Sequence, residues 1–188
     1  GIFGLAGAGR TELLEAVYGI RAKAAGQVKL DGEQATGIKP KAAIARGMVL
    51  IPEDRRGDAL ILGMTIRENM TLPVLSQFSS GVKIAGGKER GSVSGWMESM
   101  KVKAVGSEQP VGELSGGNQQ KVVFAKALMS EPRLFLCDEP TQAVDVMTRE
   151  DIHRLLQAQA DKGRGVLFVS SDLQEVLEVS DRIVVMHE

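Results

Sequence analysis

The sequence holds a single cysteine, Cys137, in 188 residues. No intrachain disulfide can form, and a reducing, cytosolic compartment is expected. No apolar run approaches the roughly 18 residues that suggest a membrane span. The longest, such as Met48 to Ile51 and Val166 to Val169, read as buried strands. Neither sign of charge dominates: 23 Lys and Arg face 24 Asp and Glu, a formal net charge of −1. That argues against a nucleic-acid binder working through a strongly basic face. Aromatic residues are scarce, at 4%. The 43% hydrophobic and 25% charged residues form an ordinary soluble balance, which excludes whole-chain disorder. The length fits one domain.

Glycine is what the chain has in excess, 22 of 188 residues, or about 12% against a usual ~7%. It gathers at Gly4, Gly7 and Gly9, between Gly81 and Gly95, and at Gly116-Gly117. The chain begins at Gly1 with neither methionine nor a signal-peptide pattern, and its first residues read like the end of a strand, so a piece of a longer protein is expected.

Strand and helix signals alternate. Gly1 to Leu5 reads as a strand running into a glycine turn, and Thr11 to Tyr18 as a helix stopped by Gly19. Gln27 to Leu30 reads as a strand with a turn at Asp31-Gly32. A short helix is expected over Lys41 to Arg46 and a buried strand over Met48 to Ile51. Thr65 to Gly112 has few strand signals and reads either as a surface excursion or as an ordered recognition subdomain, with Gly81 to Gly95 as a mobile loop. Further helices are expected from Asn118 to Met129, from a capping box at Thr148-x-x-Asp151 to Gly163, and around Leu173, Val176 and Leu177. Strands are expected over Leu134 to Cys137, Val166 to Val169 and Ile183 to Met186. Such alternation implies an α/β fold, a mainly parallel sheet covered on both faces.

Three motifs carry chemistry. In Gly4-Leu5-Ala6-Gly7-Ala8-Gly9-Arg10-Thr11, the residues Gly4, Gly9 and Thr11 fit the phosphate-loop spacing G-x-x-x-x-G-K-[ST], with Arg10 where lysine belongs. Glycines free the backbone N–H groups to wrap phosphate oxygens, and the following helix aims its positive end at the same place. A purely structural glycine turn is the alternative. The dinucleotide pattern G-x-G-x-x-G fails, because Glu12 stands where its third glycine belongs. Arginine is a wide planar fork and lysine a compact point charge, so this loop is expected to hold nucleotide poorly. In Leu134 to Thr141 a buried strand delivers Asp138 and Glu139; the first suits Mg²⁺ and the second could polarise an attacking water. The bland alternative is that the acids cap the next turn. Cys137 reads as a small core residue. In Leu114-Ser115-Gly116-Gly117-Asn118-Gln119-Gln120-Lys121, a serine hydroxyl and two glycines open a helix, a second phosphate receptor unless Ser115 is a plain helix cap. One chain cannot easily bring both receptors to a single phosphate. Two copies set head to tail can, each lending its serine loop to the other's glycine loop.

Together these motifs resemble the nucleotide-binding domain of ABC ATPases. With Pro52 to Arg56, Gly63 to Met70 and Ser170 to Leu173, the wording is similar to the second ATPase half of the fused proteins that drive ribose-, galactose- and xylose-type sugar import. The resemblance covers nearly the whole chain. It implies a P-loop NTPase (RecA-like) fold, one partial domain over 1–188 with a helical subdomain at 65–112. The antiparallel strands and base-stacking aromatic of a full domain would precede Gly1. It implies ATP and Mg²⁺ as ligands, with Thr11 and Asp138 at the metal and Glu139 and Ser171 in catalytic positions. Gly4, Gly7, Ala8, Gly9, Arg10, Thr11, Glu12, Glu53, Ser115, Gly116, Gly117, Asn118, Gln119 and Asp145 would line nucleotide sites.

Three departures weaken the chain's own site: Arg10 for lysine, Ser171 for the switch histidine, and Glu53 for glutamine. His153 and His187 lie outside the switch loop and read as exposed structural residues. Gln142-Ala143 replaces the subfamily's usual Arg-Gly. Since Ser115-Gly116-Gly117 is intact, an asymmetric pair is expected, in which this half serves a competent site on a second ATPase half, expected in the same polypeptide. The resemblance further implies transmembrane permease subunits, a periplasmic sugar-binding protein, no nucleic acid, and a peripheral place on the cytoplasmic face of the bacterial inner membrane. The rival is a non-catalytic regulatory or scaffolding module. A DNA- or ribosome-directed relative would need a coiled-coil insert or basic segments, and a small-molecule kinase has no use for the Ser115 loop.

Overall fold

The computed structural model describes residues 1–22, 25–35, 37–80 and 83–187. Along the chain these form β1 (Ile2–Gly4), α1 (Arg10–Tyr18), β2 (Lys29–Leu30), β3 (Glu33–Gln34), α2 (Pro40–Ala45) and β4 (Met48–Ile51). There follow α3 (Ile66–Thr71), β5 (Ser79–Ser80), β6 (Lys83–Ile84), α4 (Gly86–Ser99) and α5 (Gly116–Met129). The chain closes with β7 (Leu134–Asp138), α6 (Val146–Asp161), β8 (Gly165–Ser170), α7 (Leu173–Val179) and β9 (Val184–Met186). A π-helical turn spans Arg55–Ala59, and 3₁₀ turns span Leu72–Phe78 and Val111–Glu113. Two units emerge: Gly1–Glu53 with Pro132–Gln142 and Arg149–Glu188, and Asp54–Glu131 with Ala143–Thr148.

The first unit is built on a five-stranded sheet in the order β4-β7-β8-β1-β9, parallel throughout. β7 pairs on both sides, with Leu134 opposite Met48 and Gly165, and Cys137 opposite Ile51 and Phe168. Its side chains on both faces are buried from Phe135 to Asp138, which is why Leu134 to Cys137 reads as one apolar run. Leu14 of α1 and Ala43 of α2 pack with Ile2, Met48, Leu136 and Val169 as one core. α1 ends at Gly19, where φ is 91° and an added Cβ would sit 1.8 Å from the carbonyl oxygen of Ile38, so only glycine fits. Parallel strands all point their C-terminal ends one way, so Gly4, Asp138 and Ser170 finish on one edge of the sheet, where such folds bind ligands.

The second unit is mainly helical. Thr65 and Glu68 form a capping box at the start of α3. The buried Asn69 ties down the preceding loop by bonding the N–H and carbonyl of Ile61 and the carbonyls of Met64 and Thr65. α5 buries Val122, Phe124 and Ala125.

Three expectations need correction. The glycine-rich stretch expected as a loop is helix α4 from Gly86 onward; residues 81 and 82 lie outside the described residues. Tertiary contacts override its poor propensity: Val93 is fully buried, and the buried Glu89 takes hydrogen bonds from Arg67 at 3.0 Å and Thr71 at 2.7 Å. The cap of α6 is Asp145, not Thr148. Its carboxylate accepts the Thr148 N–H at 3.0 Å and hydroxyl at 2.8 Å, so the helix opens one turn earlier. His153 is not exposed; its side chain retains 13% exposure and lies 2.7 Å from Glu175.

Candidate functional site

Gly4, the last residue of β1, begins the first loop. A Cβ there would crowd the Met186 carbonyl oxygen at 3.1 Å and the Ala8 methyl at 3.2 Å. Gly7 and Gly9 adopt φ of 86° and 82°, while Ala8 N–H closes a turn on the Leu5 carbonyl at 3.1 Å. Gly9, which precedes α1, makes no side-chain cap bond to the backbone donors of its first turn. Glu12 is exposed in its first turn.

Arg10 folds back onto the acid at the end of β7. Its Nη1 donates to Glu139 Oε1 at 2.5 Å, with the two side chains only 11% and 8% exposed. The backbone N–H of the exposed Ser171 donates to the same oxygen at 2.7 Å. Glu139 itself sits at φ 44°, pinned by its N–H to the Val169 carbonyl at 2.9 Å. Beside it, Asp138 is buried, and its Oδ1 has no hydrogen-bond partner among the described residues. Burial pushes the Asp138 carboxyl above its usual range. A hydrogen bond from Thr11 opposes this, Glu53 and Glu139 add to it, and Arg10 relieves part of it. An orphaned, electrostatically strained carboxylate next to a threonine hydroxyl suits a divalent cation. No group of three or more acids, histidines or cysteines among the described residues could hold a metal unaided. Thr11 and Asp138 would therefore hold Mg²⁺ together with nucleotide phosphates, where it would supply charge neutralisation. Glu53 is exposed and accepts a hydrogen bond from Gln142 Nε2 at 3.1 Å, which gives the unusual Gln142 a partner.

Beneath this edge lies a buried network that the sequence reading missed. Glu175, 4% exposed, receives Thr141 Oγ1 at 2.5 Å and Ser170 Oγ at 2.7 Å, with His153 Nε2 at 2.7 Å. Burial pushes the Glu175 carboxyl up, yet the hydrogen bonds from His153, Thr141 and Ser170 outweigh it and hold the group below its usual range. Ser170 also reaches Glu139 Oε2 at 3.5 Å. Asp172 caps α7 by accepting the backbone N–H groups of Gln174 and Glu175, and in the sequence the glutamate three residues after it is indistinguishable from a surface acid.

In the second unit Ser115 caps α5, with its Oγ accepting from Asn118 Nδ2 at 2.8 Å and more distantly from Asn118 N–H at 3.5 Å. Asn118 Oδ1 in turn accepts the backbone N–H of Lys103 at 2.7 Å. The two glycines make room for neighbours. A Cβ on Gly116 would meet the Arg55 guanidinium at 2.7 Å, and one on Gly117 would meet Thr148 Oγ1 at 2.8 Å and Asp145 Oδ2 at 3.0 Å. The Thr148 N–H and hydroxyl hold the Asp145 carboxyl below its usual range. Gln119 is buried, and its side-chain amide is spent on the carbonyls of Val111 at 3.3 Å and Leu114 at 3.1 Å. Its side chain therefore does not face a ligand, contrary to expectation.

A glycine loop between β1 and α1, two acids ending a parallel strand of the same sheet, and a serine-glycine helix start define a P-loop NTPase of the ATP-binding cassette type. The chain belongs to the ABC transporter family, whose pattern matches residues 1–142. It is similar to the dimeric, post-hydrolysis structure of the ATP-binding cassette MJ0796 bound to ADP and Pi, at 25% identity and TM-score 0.83 over 98% of this chain and 79% of that one. A second dimeric structure of MJ0796, described as a bacterial ABC transporter cassette, matches at 25% identity and TM-score 0.82 over the same 98% and 79%. A nucleotide-free ATP-binding cassette from an ABC transporter matches at 26% identity and TM-score 0.78, over 98% of this chain and 75% of that one.

Proposed function

We propose that this chain is the ATP-binding component of an importer that couples ATP binding and hydrolysis to monosaccharide uptake. In this reading it is the second ATPase half of a fused protein, and it mainly lends its Ser115 loop to ATP held by the first half. Residues 65–112 form its helical subdomain. It works with transmembrane permease subunits and a periplasmic sugar-binding protein, bound peripherally at the cytoplasmic face of the inner membrane. Among the described residues no helix is long and apolar enough to cross a membrane.

The observation that carries the asymmetric part is the Arg10–Glu139 ion pair at 2.5 Å. A P-loop lysine would be available to phosphate, whereas Arg10 is already engaged with a carboxylate. That same carboxylate, which would polarise the attacking water, is held by Arg10 and the Ser171 N–H. One contact thus occupies both the cation and the base of this half's own site, while the exposed Ser115 remains presented. The same pair also suits the rival reading, a regulatory or scaffolding module without turnover. Substituting Ser115 in the assembled transporter separates them: transport and ATP turnover fall if Ser115 serves a working partner site, and survive if the chain is a scaffold.

A further inference from the structure

The hydrogen bonds around Ser115 determine which way its hydroxyl proton points. The Lys103 backbone N–H can only donate, so the Asn118 atom 2.7 Å from it is the amide oxygen. That leaves Nδ2, which can only donate, facing Ser115 Oγ at 2.8 Å. The Asn118 backbone N–H approaches the same oxygen at 3.5 Å. Both inward neighbours of the hydroxyl are therefore donors, and a serine hydroxyl has one proton and two acceptor lone pairs. Its proton has no use on the Asn118 side and is left to the exposed side of the residue.

Phosphate oxygens at neutral pH accept and do not donate. A hydroxyl whose lone pairs are occupied from within and whose proton is turned outward matches that demand. A hydroxyl free to rotate would spend part of its time presenting lone pairs to phosphate, which repel it. We propose that Asn118 is a positioning residue, anchored by the Lys103 N–H, that holds the Ser115 hydroxyl as an outward donor to the phosphates of ATP on the partner half. In this role Asn118 acts through Ser115, whose hydroxyl is the group turned toward the phosphates. The inference rests on the signature-loop reading above and deepens it.

Asn118→Asp tests it, because the aspartate keeps the anchor and loses the donor. One carboxylate oxygen still accepts from Lys103 N–H. The other now faces Ser115 Oγ and draws the hydroxyl proton inward. An acid in the first turn also suits the dipole of α5. In the full chain with its partner ATPase half, two quantities are measured: the ATP concentration that half-saturates association of the halves, and the melting midpoint. Asn118→Asp is expected to raise the half-saturating ATP about tenfold or more, the worth of one charge-assisted hydrogen bond, with the midpoint unchanged or higher. Asn118→Ala, which loses the anchor as well, is expected to lower the midpoint yet shift half-saturation less than Asn118→Asp. If alanine impairs association more than aspartate does, Asn118 is only a loop anchor and the proposal is overturned. In a Ser115→Ala background the aspartate should cost less than about threefold, because its effect runs through the hydroxyl. A full tenfold cost persisting there would mean plain charge repulsion and would also overturn it. Should Ser115→Ala by itself leave half-saturation unchanged, the signature-loop reading fails first, and the positioning role with it.

Discussion

Arg10 shows how one side chain changes what a loop can do. The loop around it retains the glycines at 4, 7 and 9 and the Thr11 hydroxyl. Its cation nevertheless lies against Glu139, with both groups nearly removed from solvent. Removing one partner of a buried pair strands the other charge, and that loss dominates the energetics. Arg10→Ala should therefore destabilise the protein by about 3 kcal/mol in chemical denaturation, the lower end of the range for a broken buried pair, since Ser171 still serves Glu139. An exposed arginine would cost under about 1 kcal/mol, so a value that small would mean the pair is not formed in solution. Arg10 is legible in the sequence as the departure from lysine. Its destination is not, because Glu139 lies 129 residues away. Cys137 lies in the core as its apolar strand predicts, and burial pushes its thiol well above the usual range.

At the scale of elements, α4 and α7 make opposite points. α4 carries glycine at 86, 87, 91 and 95, a composition that local rules assign to a loop. It is helical because Val93 and Glu89 are buried against α3 and α5, so its glycines are tolerated and not required. At Gly91 and Gly95 an added Cβ would meet nothing within 4 Å. Gly91→Ala and Gly95→Ala should each stabilise the protein by about 0.5–1 kcal/mol, read as a rise in the denaturation midpoint. Destabilisation by either would mean the helix is not formed there. α7 is tied to the sheet through Glu175, whose carboxyl lies below its ordinary value in the folded chain because His153, Thr141 and Ser170 favour its charged form over the cost of burial. A depressed carboxyl contributes stability that is fully present above the unfolded value, about 4.3, and is lost as pH falls through the folded one. Melting midpoints recorded from neutral to acid pH should fall on the acid side for the native chain. The fall should be shallower for Glu175→Gln, whose midpoint should already be lower at neutral pH.

For the whole molecule, the asymmetric reading ranks two substitutions in the assembled transporter. In that reading Ser115 would serve a working site on the other half, so losing it should cost about ten- to a hundredfold in turnover if its hydrogen bond is made mainly in the transition state. Ser115→Arg should be worse, since its bulk would block closure of the halves. Glu139→Gln should cost much less, because Glu139 belongs to the site that Arg10 already occupies. Equal damage from both would mean that both sites hydrolyse ATP and the asymmetry is wrong. Contact with a permease subunit has its own test. Around the loop that follows Glu53, Leu60 is buried in the second unit, whereas Ile61 and Met64 are 46% and 37% exposed. Cysteine at the exposed position 58 should cross-link to a permease subunit in the intact transporter; absence of any product would count against the contact.

What the sequence determined by itself is chemistry that acts over a few residues. The spacing of glycines 4, 7 and 9 before Thr11 specifies a phosphate loop, since φ values near 85° at Gly7 and Gly9 are a local demand. The uniform apolar run of Leu134 to Cys137 specifies a strand buried on both faces, and the acids that follow must emerge at its end. Ser115 before two glycines specifies a helix start with a hydroxyl cap. The tertiary structure decided which groups meet. The order β4-β7-β8-β1-β9 carries Asp138 and Glu139 to the edge that receives Arg10, and no periodicity encodes that order. It also decided that α4 is a helix and that Lys103 orients the amide beneath Ser115. Both outcomes depend on burial or on a hydrogen-bond partner brought in from elsewhere in the chain, and such a contact outweighs the fraction of a kcal/mol by which propensity separates one local conformation from another. The cap of α6 is a different case, a local choice between Asp145 and Thr148 three residues apart, which the spacing of capping residues leaves open.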